Sequence, residues 1–218
     1  YLDYHRVNGR LNRASAKEIR SFMDEHSDLA PSDIMFRRWL KKLGQKRHWT
    51  TLLQNFSDAD YQRSRDDELR CYYVRALYGR EQRKKALDWT TELWLSPKSQ
   101  PKACDPIFDV WRTTPRFTEE IAWQRFDAAI KNNQRKLSRY LLRFFTGTNK
   151  RTAEAYYQVH TQPKRVAKRS RFARDNAQNR SIIQHGLMRL SRNGAEDAAK
   201  AWARYAETHS FSPVQRSI

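Results

Sequence analysis

Apolar residues along this chain recur every three to four positions, the period of an α-helix with one buried face. Phe36, Trp39, Leu40 and Leu43 share such a face. Leu137, Tyr140, Leu141, Phe144 and Phe145 follow the i, i+3, i+4, i+7, i+8 pattern, and Ile183, Leu187 and Leu190 make a further stripe. Ala195, Ala198, Ala199, Trp202, Ala203 and Ala206 predict a narrow face of small residues that a neighbouring helix can approach closely. No alternating run predicts a strand. The punctuation agrees with this period. Ser15 and Glu18 form a capping box ahead of Ile19. Ser32, after Pro31, opens the next helix, and Pro106 lies just inside a helix start, where a missing N–H is tolerated. Pro97, Pro101, Pro115, Pro163 and Pro213 fall between helices or in first turns. Gly44, Gly79, Gly147 and Gly194 fall at boundaries, where they are expected to supply a left-handed backbone.

These signals predict helices over residues 15–26, 32–43, 46–54, 66–78, 82–95, 104–113, 118–131, 134–146, 149–160, 165–173, 176–192 and 195–208. From residue 66 onward, helix pairs begin near 66, 104, 134, 165 and 195. The steps are close to the ~34 residues of tetratricopeptide-type repeats, although the side chains do not repeat. The predicted fold is all-α, a superhelical array of antiparallel helix hairpins forming a single domain over 1–218. Tyr1-Leu2-Asp3-Tyr4 already reads as helix, and Phe211-Ser212-Pro213-Val214 reads as the start of another. The chain is therefore expected to be part of a longer array.

Composition refines this picture. Only 39% of the 218 residues are hydrophobic, yet seven are Trp, which fits thin helical layers better than one thick core. No apolar run approaches the ~18 residues that span a bilayer. The 43 basic and 24 acidic residues leave a net charge of +19, which points to a polyanionic partner or surroundings: nucleic acid, an anionic membrane surface or cell-wall polymer. Arg37, Arg38, Lys41 and Lys42 lie on one helix, with Lys46 and Arg47 just beyond. Lys136, Arg139 and Arg143 lie opposite an apolar stripe. The densest basic run is Lys164, Arg165, Lys168, Arg169, Arg171, Arg174 and Arg180. These are either solvated helix faces or an electropositive lining for polyanions. Trp49, Trp89, Trp94, Trp111, Trp123 and Trp202 sit at core spacing, though an exposed one could stack on a sugar ring.

Catalytic and metal signatures are missing. Cys71 and Cys104 are either free buried thiols or a disulfide, and the spacing alone does not choose. Two isolated cysteines with no nearby histidine pair do not make a zinc ligand set. The six His are scattered, with no HExxH, no GxSxG elbow and no phosphate-binding glycine loop. Asp66-Asp67-Glu68 and Glu119-Glu120 are candidates for a carboxylate pair by residue type, but each falls in a predicted first helical turn, where acids offset the helix dipole.

The stretch from Glu92 to Trp111, with Trp94, Pro97, Pro101, Cys104, Pro106 and Trp111 as fixed points, resembles a signature in the superhelical domain of soluble lytic murein transglycosylases. Tyr1-Leu2-Asp3-Tyr4 with Arg6, and Glu68-Leu69-Arg70-Cys71-Tyr72-Tyr73, are similar to earlier helices of that domain. Trp123, Arg125, Phe126 and Ala129 are similar to the helix that follows the signature. His185-Gly186-Leu187 with Arg189 and Leu190, and Ala199, Trp202 and Tyr205, fit later helices less specifically. The resemblance is weak over 148–180, and the basic density at 163–180 departs from the family.

This resemblance implies a periplasmic setting, with Cys71 and Cys104 paired. Closing that loop would stabilise the array by roughly 3–4 kcal/mol in the chain-entropy model. For the whole enzyme it implies non-hydrolytic cleavage of the β-1,4 bond between N-acetylmuramic acid and N-acetylglucosamine, leaving 1,6-anhydro ends, with no metal or cofactor. Family catalysis resides in a separate lysozyme-like domain marked by a Glu-Ser pair and a later Gly-Leu-Met-Gln. Gly186-Leu187-Met188-Arg189 matches only part of the second motif, and its place within a helical stripe makes it a packing feature. No catalytic residue is therefore expected here, and the chain alone is expected to be inactive. The expected partners are peptidoglycan glycan strands and a downstream catalytic domain. Candidate contacts are Arg139, Arg143, Lys164, Arg165, Lys168 and Arg169. Two other classes remain open: a tetratricopeptide-like adaptor for acidic peptides, and a basic helical repeat that binds nucleic acid, the less favoured partner.

Overall fold

The computed structural model describes residues 2–26 and 30–216, with the side chains at 2, 3, 30, 169, 214 and 215 outside the described set. Among the described residues the fold is all-α, and the chain divides into two compact units. Unit one holds residues 1–96 and 100–117; unit two holds 97–99 and 118–218.

Unit one comprises α1 (Leu2–Gly9), α2 (Ala16–Glu25), α3 (Ala30–Gln45), α4 (Trp49–Asn55), α5 (Asp58–Arg63), α6 (Asp67–Gly79), α7 (Arg83–Trp94) and α8 (Asp105–Arg112). The expected capping box starts α2: Glu18 N donates to Ser15 Oγ, and Ser15 N donates to the Glu18 carboxylate at 2.8 Å. A second box, Ser57 with Asp60, starts α5, which the apolar period alone had missed. Helix α6 is the centre of this unit and packs against α3, α4, α7 and α8. It carries a run of buried side chains, including Leu69, Cys71, Tyr73, Val74 and Leu77. Asp66 caps it, accepting from Leu69 N at 3.1 Å.

Gly44 lies inside α3, where its backbone meets Tyr72: an added Cβ would fall 2.2 Å from that ring. Its role is close approach, not the left-handed turn expected from sequence. Left-handed φ values occur instead at Arg47 (58°), Glu81 (64°) and Asn133 (56°), and among glycines at Gly147 (49°). Arg47 also explains why α4 begins at Trp49 and not at residue 46.

Unit two comprises α9 (Glu119–Lys131), α10 (Arg135–Leu141), α11 (Gly147–Thr161), α12 (Ala177–Ser191), α13 (Ala195–Ala206) and α14 (Pro213–Arg216). Helix α12 packs against α11, α13 and a 3-10 turn at Pro163–Ala167. Three expectations change here. The helix expected over 165–173 is a pair of 3-10 turns, Pro163–Ala167 and Arg169–Phe172. An α-helix there would stack Lys164 on Lys168 and Arg165 on Arg169, like charges one turn apart that destabilise it. The chain instead anchors itself by burying Val166 and Phe172. The helix expected over 134–146 ends at Leu141 and tightens into a 3-10 turn at Leu142–Phe144, leaving Tyr140 39% exposed. The small-residue face of α13 is rotated from the expected one. Ala198, Ala201 and Tyr205 are buried, whereas Ala195, Ala199, Ala203 and Ala206 are exposed. Tyr205 decides this orientation, because its hydroxyl donates to the Val166 carbonyl at 2.7 Å.

Candidate anion-binding surface

Charge is divided unevenly along the chain. Unit two has 21 basic and 8 acidic residues, a net of +13, against 22 and 16 in unit one. The candidate contacts from sequence all lie in unit two. Arg139 and Arg143 are exposed on α10 and its 3-10 extension, and the Arg143 guanidinium sits 4.4 Å from the Tyr140 ring centroid. Lys164 and Lys168 are exposed on the 163–172 segment. Arg165 donates to Gln162 Oε1 at 2.6 Å and to Gln158 Oε1 at 3.0 Å. Arg171 donates to the same Gln158 oxygen at 2.6 Å, so two guanidiniums converge on one amide. The Arg169 side chain lies outside the described set. Among the described residues, Arg139, Arg143, Lys164, Arg165 and Lys168 form no ion pair with a carboxylate. Their field therefore remains available to a polyanion at low ionic strength.

Asp66, Asp67, Glu68 and Glu119, among the acids considered for catalysis, have structural partners. Asp66 and Glu68 both pair with Lys41, at 2.8 and 3.1 Å. Glu119 accepts from Thr146 N at 2.8 Å, from Thr146 Oγ1 at 2.7 Å and from Asn149 Nδ2, which tie the start of α11 to α9. Hydrogen bonds from Asn149 and Thr146 hold its carboxyl below the usual glutamate range. In Gly186-Leu187-Met188-Arg189, Gly186 and Leu187 are buried on α12 while Met188 is exposed. Among the described residues, no group of three or more His, Cys, Asp or Glu side chains is placed to hold a metal ion.

Sequence reading missed a partly buried polar cluster between α9, α11 and α12. His160 Nδ1 and His185 Nε2 are 3.0 Å apart, and the rings stack at 5.3 Å. Tyr156 donates to Asp127 at 2.9 Å, Ser181 Oγ lies 3.4 Å from the same oxygen, and Lys131 pairs with Asp127 at 2.6 Å. Burial, then the charges of Arg189 and Arg135, push His160 down to about 4. Burial and His160 itself push His185 down to about 4. Both imidazoles are therefore neutral at pH 7. The two histidines are 25 positions apart on different helices, a separation with no periodic signature.

Apart from residues 97–99, the signature stretch is a packed aromatic and covalent joint in unit one. Cys71 and Cys104 are both fully buried and form a disulfide with Cα atoms 4.9 Å apart. Trp94 packs against Phe108, Trp111 and Phe117 with centroids 5.3–5.5 Å apart, and Trp111 Nε1 donates to Thr91 Oγ1 at 2.9 Å. Gln100 Nε2 donates to Asp67 at 3.3 Å, and Arg75 donates to the Ala103 carbonyl at 3.2 Å. The Pro-punctuated connector is thus fastened to α6 at Asp67 and Arg75, on either side of Cys71. None of the seven Trp is exposed. The half-buried Trp89 stacks on Tyr61 at 4.3 Å, so its face is already covered.

Soluble lytic murein transglycosylase of Escherichia coli K12 is 26% identical over 198 residues, covering 91% of this chain. The Salmonella typhimurium protein of the same name is 25% identical over the same span. Among solved structures, an inactive mutant of lytic transglycosylase Slt from Pseudomonas aeruginosa superimposes with a TM-score of 0.83 at 29% identity, over 99% of this chain. This chain is homologous to the soluble lytic murein transglycosylases. The 70 kDa soluble lytic transglycosylase of E. coli shares its fold, with a TM-score of 0.82 at 24% identity. The chain spans about 30% of the transglycosylases it matches in sequence and 34% of those it matches in structure. No protein-family model matches it. Among the described residues, no helix is long and apolar enough to cross a membrane.

Proposed function

We propose that this chain is a non-catalytic superhelical scaffold of a periplasmic lytic transglycosylase. In this reading the whole enzyme cleaves the β-1,4 bond between N-acetylmuramic acid and N-acetylglucosamine and leaves 1,6-anhydro ends. The scaffold holds glycan strands for a catalytic domain on the same chain. The observation that carries the reading is the agreement of nearly the whole chain with one region of a transglycosylase, 29% identical and at a TM-score of 0.83. The Cys71–Cys104 disulfide supports an oxidising compartment. The net charge of +13 on unit two supports an anionic polymer as partner, because peptidoglycan stems carry free carboxylates. In this role Arg139, Arg143, Lys164, Arg165, Lys168 and Arg169 attract the polymer at long range and do not take part in bond cleavage.

The same charge favours nucleic acid as a second reading. Incubating the purified chain with sacculi and analysing the soluble fraction tests the scaffold role. The expected result is no release of anhydro-ended muropeptides by the chain alone. Release at rates above buffer would mean the chain has chemistry of its own.

A further inference from the structure

We propose that the groove between α11 and the 3-10 turn at Arg169–Phe172 binds a short peptide that carries a free carboxylate, with Arg151 and Arg171 as the cations that recognise it. The periodicity of α11 builds one wall. Thr148, Arg151, Ala155 and Gln158 recur at helical spacing and line a cavity of about 440 Å³. Arg171 and Phe172 supply the facing wall, and Asn179, in the first turn of α12, completes the lining. The volume lies within the ~300–1,000 Å³ of small-ligand clefts. The Phe172 side chain is buried and anchors the turn, and Asn179 Nδ2 is held on the Arg174 carbonyl at 2.8 Å.

Both cations are held in place by neutral groups. Arg151 donates to Thr148 Oγ1 at 3.1 Å, and Arg171 donates to Gln158 Oε1 at 2.6 Å. Arg165 reaches the same amide oxygen at 3.0 Å. An amide oxygen carries only a partial charge, so these contacts orient the guanidiniums without cancelling them. Among the described residues, the ion pairs of unit two join Lys131 to Asp127, Arg180 to Asp175 and Lys200 to Glu196, which leaves all three guanidiniums without a carboxylate. A ligand carboxylate supplies the charge that Gln158 lacks, and guanidinium–carboxylate pairs are among the stronger polar contacts. Side chains already oriented by neutral partners lose less freedom when the ligand arrives. One acid, Glu154, also lines the cavity, and it too forms no ion pair among the described residues. Its charge opposes a compact multiple anion such as phosphate and favours a ligand with an amine beside its carboxylate. The hydroxyls and amides of Thr148, Thr152 and Asn179 suit the N–H and C=O groups of a peptide backbone.

A peptide stem of peptidoglycan has this chemistry, and that source rests on the scaffold reading above; the site itself does not. The test is NMR on the isotopically labelled full chain at low salt, following the backbone amides of residues 148–158 and 171–179. A muropeptide with free carboxylates and a free amine, its carboxyl-amidated form, its N-acetylated form, an acidic tripeptide unrelated to cell wall and inorganic phosphate are titrated in turn. The expected result is a saturable shift with the free muropeptide and none with the amidated one. Acetylating the amine weakens binding about threefold, the worth of an exposed ion pair, and E154Q removes that difference. R151Q and R171Q each weaken binding about tenfold, as loss of a charged hydrogen bond should. K136Q, which removes an exposed cation on α10, leaves it unchanged. A response to the tripeptide alone supports the site and removes peptidoglycan as its source. A response to phosphate equal to that with the muropeptide overturns the assignment to peptides. Binding of the muropeptide that is insensitive to both R151Q and R171Q overturns the site but not the scaffold reading. No saturable shift with either peptide overturns the site.

Discussion

Gly186 is where α12 comes closest to its neighbours. A Cβ there would lie 2.6 Å from Val159 and 2.8 Å from Val166, so the neighbours must move. Alanine would gain ~1 kcal/mol of helix propensity, but overpacking of this kind costs ~1–3 kcal/mol, so the clash wins. G186A should lower the urea midpoint, and an unchanged or raised midpoint would show that the valines yield freely. The stripe holding this glycine was legible in sequence as Ile183, Leu187 and Leu190. Its reason was not, because Val159 and Val166 belong to other elements. The same holds for the His160–His185 pair. Native imidazoles held at about 4 bind protons later than unfolded ones at the ordinary 6.5. The unfolded chain therefore takes up more protons between those values. Stability due to the pair is complete above about 6.5 and falls as pH drops toward 4. Denaturation at stepped pH should show this fall, and an H160Q/H185Q double variant should flatten it. A wild-type profile with no slope in that window would contradict the buried neutral pair.

Elements were legible wherever local signals agreed. Ser15 with Glu18 and the stripe of Trp39, Leu40 and Leu43 gave α2 and α3 because cap and period point to one answer. The segment at 163–172 failed because repulsion among its cations overrode the helical pattern. The face of α13 was misread because Tyr205 reaches the Val166 carbonyl, a contact that the alanine spacing does not reveal. Two element-level contacts are testable. Glu119 caps α11 from α9, and E119A should destabilise by ~1–2 kcal/mol, with faster amide exchange at the start of α11. Unchanged exchange there would mean that the cap is dispensable. The disulfide closes the hairpin of α6 and α7 onto the 3-10 turn at Lys102–Cys104. A C71A/C104A double variant should lose roughly 3–4 kcal/mol in denaturant unfolding, and wild type in reductant should approach it. Equal midpoints with and without reductant would mean the link contributes nothing.

Across the whole chain, the sequence already carried the all-α superhelical class. A fold match over 99% of the chain agrees with it. The concentration of charge in unit two was only partly legible. The dense run at 164–180 was visible, whereas the division of charge between the two units needs the fold to appear. A net charge of +19 attracts any polyanion, so affinity alone does not identify the partner. Discrimination between polymers does. The most direct measurement is co-sedimentation of the purified chain with sacculi, in competition with a short DNA duplex, from about 0.05 M to about 0.5 M salt. The scaffold reading predicts that the chain pellets with sacculi at low salt, is released as salt rises, and is displaced poorly by duplex. A chain that stays in the supernatant with sacculi while retarding the duplex would contradict it.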